Sequence, residues 1–309
     1  MSTCIGNESA NRTDAPGELG ESGFESTTHD LFGYVGNADL ERMTSDPLPE
    51  SVDWRQNGMV SPVKNQGRCA ACWAFSIVGS VESHIRIHLN QFEILSEQFL
   101  IDCGTDVDND GCPYAPLLKS LAYIVTHLGG VLRSEDYHSY AERKLKCQWV
   151  RPSRRIENHG SILNSSTVPQ QKDENDNVLD VIFNKVYSPV RPVPVIGFRR
   201  VQADEAIMEQ FVHKYGPLIA AINSATMVGN YSGYIDEPTD ENCDPGSLTH
   251  TVLIVGYSTH VPSDGGRIVR YWIIKNSWGT EWGDNGYYYL VRGRNACGIA
   301  ADVAIPIVN

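Results

Sequence analysis

The apolar residues of this 309-residue chain change their spacing partway along it, and that change limits the folds open to it. Runs that begin at Cys72 and Leu118 repeat at the helical interval, and Ser96 is placed to cap a helix between them. A fourth helix is predicted over residues 204–215. The apolar segments that follow are short and separated by turn residues, which indicates strands at 218–222, 251–257, 270–275 and 286–292. Helices followed by strands predict an α+β protein in two lobes.

The net charge of −13 narrows the classes of partner. A chain this acidic would repel phosphate groups, so we expect neither a nucleic acid nor an anionic membrane surface as its partner. No apolar run reaches the length of a membrane span. The first thirty residues also lack the apolar stretch of a secretory signal, so no signal peptide is visible.

The cysteines point to an oxidising compartment, in conflict with the absence of a visible signal. Setting aside Cys72 and the N-terminal Cys4, six cysteines remain, and the sequence alone leaves their pairing open. Disulfides between them would form only in an oxidising environment. We therefore expect that the original leader is missing, or that the start of the chain is mis-assigned.

Cys72 lies at the start of the first predicted helix, where the helix dipole favours a thiolate over a thiol. Six residues upstream, Gln66 offers a side-chain amide that can hold an oxyanion. The alternative is a buried structural cysteine. A second alternative is a redox site, because Cys69 and Cys72 form a C-x-x-C sequence at a helix start, although no parallel-sheet pattern surrounds it.

Two residues later in the chain occur in sequence contexts expected for the partners of a catalytic cysteine. His250 precedes the apolar run 251–257, and Asn276 precedes Ser-Trp-Gly; separately, they would indicate a core histidine and a turn. Together with residues 66–76 they resemble the papain family of cysteine proteases. The resemblance begins at residues 48–55, continues through 61–66 and 95–98, and ends with 278–287 and 297–299.

The resemblance implies a papain-like fold with a helical left lobe, an antiparallel β-barrel-like right lobe, and the active-site cleft between them. Cys72 would be the nucleophile and His250 the base and then the acid, in a thiolate–imidazolium pair that forms a thioester acyl-enzyme. Asn276 would orient the imidazole, Trp278 would cover their hydrogen bond, and Gln66 would form the oxyanion hole with the Cys72 N–H. The alternative function is a catalytically weak or inactive homologue that acts as a binding protein.

The same resemblance implies the disulfide pairing and the biological setting. The bridges would be Cys69–Cys112, Cys103–Cys147 and Cys243–Cys297. We expect a lysosomal or secreted endopeptidase, since no paired-histidine occluding loop is apparent. Its partners would be protein or peptide substrates and cystatin-like inhibitors. We expect a monomer with no cofactor and no metal.

Several substrate-binding residues depart from the family pattern. After Cys112 the chain has Pro113, Tyr114 and Ala115 where relatives have Asn-Gly-Gly, which predicts a crowded non-primed side and slower or more selective turnover. By resemblance, the pocket for the second residue before the scissile bond would be lined by Leu117, Ala221 and Leu248, with Asp302 at its base. An acid there predicts acceptance of Arg or Lys. The alternative is a surface carboxylate.

The domain boundaries follow from composition and from the resemblance. Residues 1–47 are polar and predicted to be a disordered N-terminal segment or propeptide remnant. The peptidase domain would span 48–309, with the helical lobe at about 60–147, an inserted surface loop at about 148–195 and the β lobe at about 196–300. Asn164 and Asn230 are candidate glycosylation sites.

Overall fold

The computed structural model describes residues 47–104, 112, 115–149, 190–229 and 231–309. The chain divides into one compact unit, made of the residues up to Cys147 and from Pro192 onward, and a second unit, Gln148–Arg191. In the second unit the Trp149 indole N–H donates a hydrogen bond of 3.1 Å to the Val190 carbonyl. Some sequence predictions concern residues outside the described ranges: the N-terminal segment 1–46, most of the inserted loop, Cys4, Pro113, Tyr114, Asn164 and Asn230.

The helices lie where the apolar spacing predicts them. They are α1 (Cys72–Leu89), α2 (Glu97–Cys103), α3 (Leu117–Tyr123) and α4 (Glu205–Tyr215). The hydroxyl of Ser96 accepts from the Phe99 N–H and so caps α2. A π-helical turn, Ile124–Leu128, continues α3 and ends at Gly129, whose φ of 76° is readily adopted by glycine.

Helix α1 is the central element of the helical lobe. It is buried on nearly every face from Cys72 to Ile85, because it packs against α2 on one side and against strands of the other lobe on the other. Its N-cap residue, Ala71, has no side-chain acceptor, so no side chain caps the first turn.

The strands form a mostly antiparallel sheet. They are β1 (Val52–Asp53), β2 (Gly130–Val131), β3 (Val193–Val201), β4 (Leu218–Ile222), β5 (Ile235–Asp236), β6 (His250–His260), β7 (Val269–Lys275), β8 (Tyr287–Val291) and β9 (Val303–Val308). Their order is β2-β3-β9-β4-β6-β7-β8-β5, with β1 paired to β6; only β5 and β8 run parallel. The α+β prediction of a helical and a β lobe is confirmed.

Two strands extend past the limits of about 196–300 predicted for the β lobe. Strand β3 begins at Val193, inside the range assigned to the loop, and β9 extends the β lobe to Val308. Both strands contain a proline, which obscured their strand pattern. Pro306 is tolerated because β9 pairs with β4 only through Val303 and Ala304, so its missing N–H faces no partner on that side.

The core of the β lobe fills the space between the sheet and α4. Its largest fully buried side chains include Phe211, Tyr257, Trp272 and Tyr288. The predicted disulfides are present: Cys69–Cys112, Cys103–Cys147 and Cys243–Cys297. Of the helices in the described ranges, none has both the length and the apolar character that crossing a bilayer requires.

Candidate active site

Cys72 is the first residue of α1 and is fully buried. The sequence analysis leaves it unpaired, and on this point the structure differs: Cys72 is disulfide-bonded, and no cysteine of the described residues is a free thiol. A thiolate at this position therefore requires reduction.

His250 is the first residue of β6, and its imidazole is held by Asn276. The distance from His250 Nε2 to Asn276 Oδ1 is 2.8 Å, and both side chains are buried. The same Oδ1 accepts from the Ser277 backbone N–H at 2.8 Å. A backbone N–H can only donate, so the Asn276 atom at that place is the oxygen, and His250 Nε2 must be the protonated ring nitrogen.

The second ring nitrogen of His250 is consequently the one able to take a proton. His250 Nδ1 is buried and forms no hydrogen bond with the described residues. In the tautomer with Nε2 protonated, Nδ1 carries a lone pair. Burial lowers the pKa of His250 to about 4, and the hydrogen bond to Asn276 partly opposes that decrease. A thiolate beside the ring would favour the imidazolium and raise this pKa.

A hydrogen bond between α1 and β6 brings the Cys72 and His250 segments together. The Ser76 hydroxyl donates to the Thr251 carbonyl at 2.9 Å. Ser76 is one turn after Cys72 on the same helix face, and Thr251 follows His250 in the strand. The segments that carry Cys72 and His250 therefore meet where α1 packs on β6.

Trp278 covers the imidazole. The ring centroids of His250 and Trp278 are 4.9 Å apart, and Trp282 packs edge-on against Trp278 at 5.0 Å. Trp278 is 7% exposed, so the indole shields the His250–Asn276 hydrogen bond from water. The covering role that the resemblance implies for Trp278 stays a prediction.

Gln66 is buried and held by both lobes. Its Oε1 accepts from the Ser277 hydroxyl at 2.6 Å, and its Nε2 donates to the Cys69 carbonyl at 2.8 Å. Its backbone N–H donates to the Ser277 carbonyl at 2.8 Å, and its carbonyl accepts from the Tyr140 hydroxyl at 2.7 Å. These bonds fix the carboxamide between the helix start at Cys69–Cys72 and the segment that carries Asn276.

The structure brings together two of the predicted specificity residues. Ala221, in β4, donates its N–H to the Asp302 carbonyl at 2.9 Å. Asp302 is half-buried, and its Oδ1 lies 3.9 Å from Arg200 Nε. Burial raises the pKa of Asp302, and the Arg200 charge acts in the opposite direction. Oδ1 is buried and forms no hydrogen bond with the described residues, so Arg200 is the cation described beside it.

The remaining specificity residues are placed on separate elements. Ala115 and Leu117 are buried at the start of α3, which packs on β3 and β9. Leu248 is half-buried and approaches Gly298, where a side chain would collide with Leu248 and with the Pro245 backbone. The contacts of the described residues do not join these three into one wall, so their pocket stays a prediction.

A buried charge cluster that no sequence motif predicted lies beside Asn276 and Ser277. Lys64 Nζ lies 3.0 Å from Glu82 and 2.6 Å from Glu97, and Lys275 Nζ donates to the Ser61 hydroxyl at 3.1 Å. Lys64 and Lys275 directly precede the segments of Gln66 and Asn276, so the cluster braces both. Burial lowers the pKa of Lys275 to about 8. The only signals of this cluster in the sequence were a lysine two residues before Gln66 and a lysine directly before Asn276.

Comparison with known proteins identifies the class. Residues 48–307 match the family described as papain family cysteine protease. The chain belongs to this family.

Individual relatives are similar over most of the chain. It is 31% identical over 269 residues to cysteine proteinase 1 of Dictyostelium discoideum, covering 84% of this chain and 66% of that protein. It is 32% identical to pro-cathepsin H of Mus musculus, with coverages of 84% and 66%. The chain thus spans just under two thirds of the length of these relatives.

Solved structures agree with the fold. Digestive procathepsin L2 proteinase from Tenebrio molitor larval midgut superimposes with a TM-score of 0.68 at 29% identity, over 90% of this chain and 74% of that one. Bromelain protease from Ananas comosus, in complex with the E64 inhibitor, gives a TM-score of 0.62 at 28% identity, over 85% and 100%.

Proposed function

We propose that this protein is a cysteine endopeptidase in which Cys72 is the nucleophile and His250 the proton carrier. The observation that carries the proposal is that Asn276 Oδ1 accepts two hydrogen bonds, one from the Ser277 N–H and one from His250 Nε2. It commits the Nε2 proton to Asn276 and leaves Nδ1 as the only ring atom able to exchange a proton with the thiol.

The chemistry begins once Cys72 is reduced. His250 Nδ1 takes the thiol proton, and the thiolate attacks the carbonyl carbon of the peptide bond. The developing oxyanion is stabilised by the Cys72 backbone N–H and by the Gln66 carboxamide. When the C–N bond breaks, the Nδ1 proton passes to the departing amine and a thioester remains.

The second half of the reaction regenerates the enzyme. Neutral His250 Nδ1 takes a proton from a water molecule, and the resulting hydroxide attacks the thioester carbonyl. Breaking the C–S bond releases the carboxylic acid and returns the thiolate beside the imidazolium. Burial of His250, covered by Trp278, disfavours an isolated charge, and the ion pair with the thiolate offsets that cost.

The setting in the cell follows from the cysteines. Three disulfides in the described residues support a lysosomal or secreted location. Protein or peptide substrates would lie across the contact between α1 and β6, and cystatin-like inhibitors would compete there. We further propose that the enzyme acts as a monomer.

Labelling with an epoxysuccinyl inhibitor tests the function. After thiol reduction, the wild type should take up one inhibitor molecule and cleave peptide substrates, and Cys72→Ala should do neither. His250→Ala should label far more slowly, because its thiol stays protonated. His260→Ala, at the exposed end of the same strand, is the matched control and should behave as wild type. Equal labelling of Cys72→Ala or of His250→Ala would refute the proposal.

A further inference from the structure

A second cavity lies at the opposite end of α1 from Cys72. It has a volume of about 280 Å³ and is lined by the last turns of α1, the end of α4, β3 and β9: His84, His88, Arg199, Tyr215 and residues 305–308. His88 is sixteen residues after Cys72 along α1, which places the two residues roughly 24 Å apart. The cavity is therefore separate from the catalytic residues.

The charge of this cavity is opposite to that of the chain. The chain carries a net charge of −13, yet no Asp or Glu lines the cavity. Arg199 is half-buried, and its guanidinium group has no hydrogen bond or ion pair with the described residues. Its neighbour Arg200 is paired with Asp302, and Arg292 with Glu209. The guanidinium group of Arg199 is thus able to bind an anion.

The two histidines differ in what they contribute. His84 Nε2 lies 3.0 Å from the Pro217 carbonyl and His88 Nε2 lies 2.8 Å from the Tyr215 carbonyl, so both Nε2 atoms carry protons. Burial lowers the pKa of His84 to about 4, so its ring is neutral and acts as an apolar wall. His88 is exposed and lines the same cavity.

The opposite side of the cavity is apolar. Ile305 is buried and directly opposite Arg199 in the pairing of β3 with β9, so both side chains lie on the same face of the sheet. Ile307 and Val308 extend this apolar surface along β9. A cation beside a row of aliphatic side chains fits a ligand with an anionic head and an apolar body.

We propose that this cavity binds a small organic carboxylate with an apolar chain, its head on Arg199 and its chain along residues 305–308. The volume lies near the lower limit of about 300 Å³ for ligand pockets, so the ligand is compact. The site does not depend on the catalytic residues and stands whether or not the protein is a peptidase.

Isothermal titration calorimetry with octanoate tests the site. The wild type should bind octanoate more tightly than octanol or octylamine, which share its chain but lack its charge, and more tightly than acetate, which lacks the chain. Arg199→Gln should weaken octanoate binding by roughly tenfold or more, since it removes a charged hydrogen-bond partner. Arg86→Gln makes the same change of charge at a residue of α1 that stacks on Phe92 outside the cavity, and should bind as wild type.

A second variant keeps the test independent of any effect of Arg199 on folding. Val308→Glu places an acid at a half-exposed position of the cavity and should abolish octanoate binding while far-UV circular dichroism stays unchanged. The proposal fails if the wild type does not bind octanoate at millimolar concentration, or if octylamine binds equally well. It also fails if folded Val308→Glu binds octanoate as the wild type does.

Discussion

At the scale of single residues, the site depends on which polar atoms carry a hydrogen and can donate it. The Ser277 N–H fixes the orientation of the Asn276 carboxamide, and the Cys69 carbonyl, which can only accept, fixes that of Gln66. His250 then has one possible tautomer. The protonation pattern needed for proton transfer is therefore set before a substrate arrives.

Replacing Gln66 by alanine tests the oxyanion role. We expect Gln66→Ala to lower kcat by roughly a hundred- to thousandfold with little change in KM, because the lost N–H acts on the transition state. Peptide hydrolysis after reduction measures it. Gln56→Ala, at an exposed position of the same region, should match the wild type. A Gln66→Ala enzyme of normal kcat would place the oxyanion elsewhere.

The pair Arg200–Asp302 tests substrate preference. We expect Asp302→Ala to reduce cleavage of substrates with Arg two residues before the scissile bond relative to those with Phe. Arg200→Gln should do the opposite, because Arg200 partly neutralises the acid at 3.9 Å. Paired fluorogenic peptides give the ratio of kcat/KM. An unchanged ratio in both variants would make Asp302 a surface carboxylate without a role in selection.

At the scale of elements, sequence periodicity was sufficient for the helices and for the strands rich in β-branched residues. It predicted α1, the Ser96 cap of α2 and strand β4 with their ends nearly correct. It missed β3 and β9, since prolines within strands are ordinarily unfavourable. A proline is tolerated in a strand when its missing N–H faces no partner strand. Which neighbour each proline faces is decided by pairing between distant segments.

The proposed functional residues show the same division between what a local pattern predicts and what contacts between distant segments decide. The proposed catalytic residues Cys72, His250, Asn276 and Gln66 were predicted from local motifs, because each motif is contiguous in sequence. The contacts that fix them, such as the bond of Gln66 to Tyr140, join residues with no shared pattern. The disulfide of Cys72 was likewise beyond the sequence argument, since pairing depends on which thiols meet in space.

The pairing of β1 with β6 requires a glycine at position 256. A Cβ there would collide with the Val52 backbone, which cannot move without breaking the strand pair. We expect Gly256→Ala to destabilise the protein by about 2 kcal/mol or more, measured by urea unfolding. Gly265→Ala introduces only the strain of a positive φ in open space and should cost about 1 kcal/mol. Equal costs would show that β1 shifts to accommodate the methyl group.

At the scale of the whole molecule, buried histidines make stability depend on pH. Burial lowers the pKa of His84 from 6.5 to about 4, so between these values the unfolded chain binds a proton that the folded chain does not. A histidine whose pKa is lower in the folded state than in the unfolded state therefore destabilises the fold progressively as the pH falls from 6.5 to 4. This loss opposes the relief of charge repulsion that acid brings to a protein of net charge −13.

His84→Gln should separate these effects. Between pH 7 and pH 4.5 we expect the wild type to lose about 2 kcal/mol more unfolding free energy than the variant, because glutamine does not titrate. Urea unfolding of Cys72→Ala backgrounds at both pH values avoids self-digestion. The changes shared by both proteins cancel in the difference. Identical pH dependence would mean that His84 is protonated in the fold.

The two bonds donated by Ser277 restrict how such a protein can diversify. Ser277→Ala would keep the backbone N–H that holds Asn276 and remove only the hydroxyl bond to Gln66, so it would act on the proposed oxyanion site alone. Asp302 and Arg200 share no hydrogen bond with that residue. If Asp302 selects substrates as predicted, that preference can be changed at these two positions while the contacts of Ser277 stay as they are.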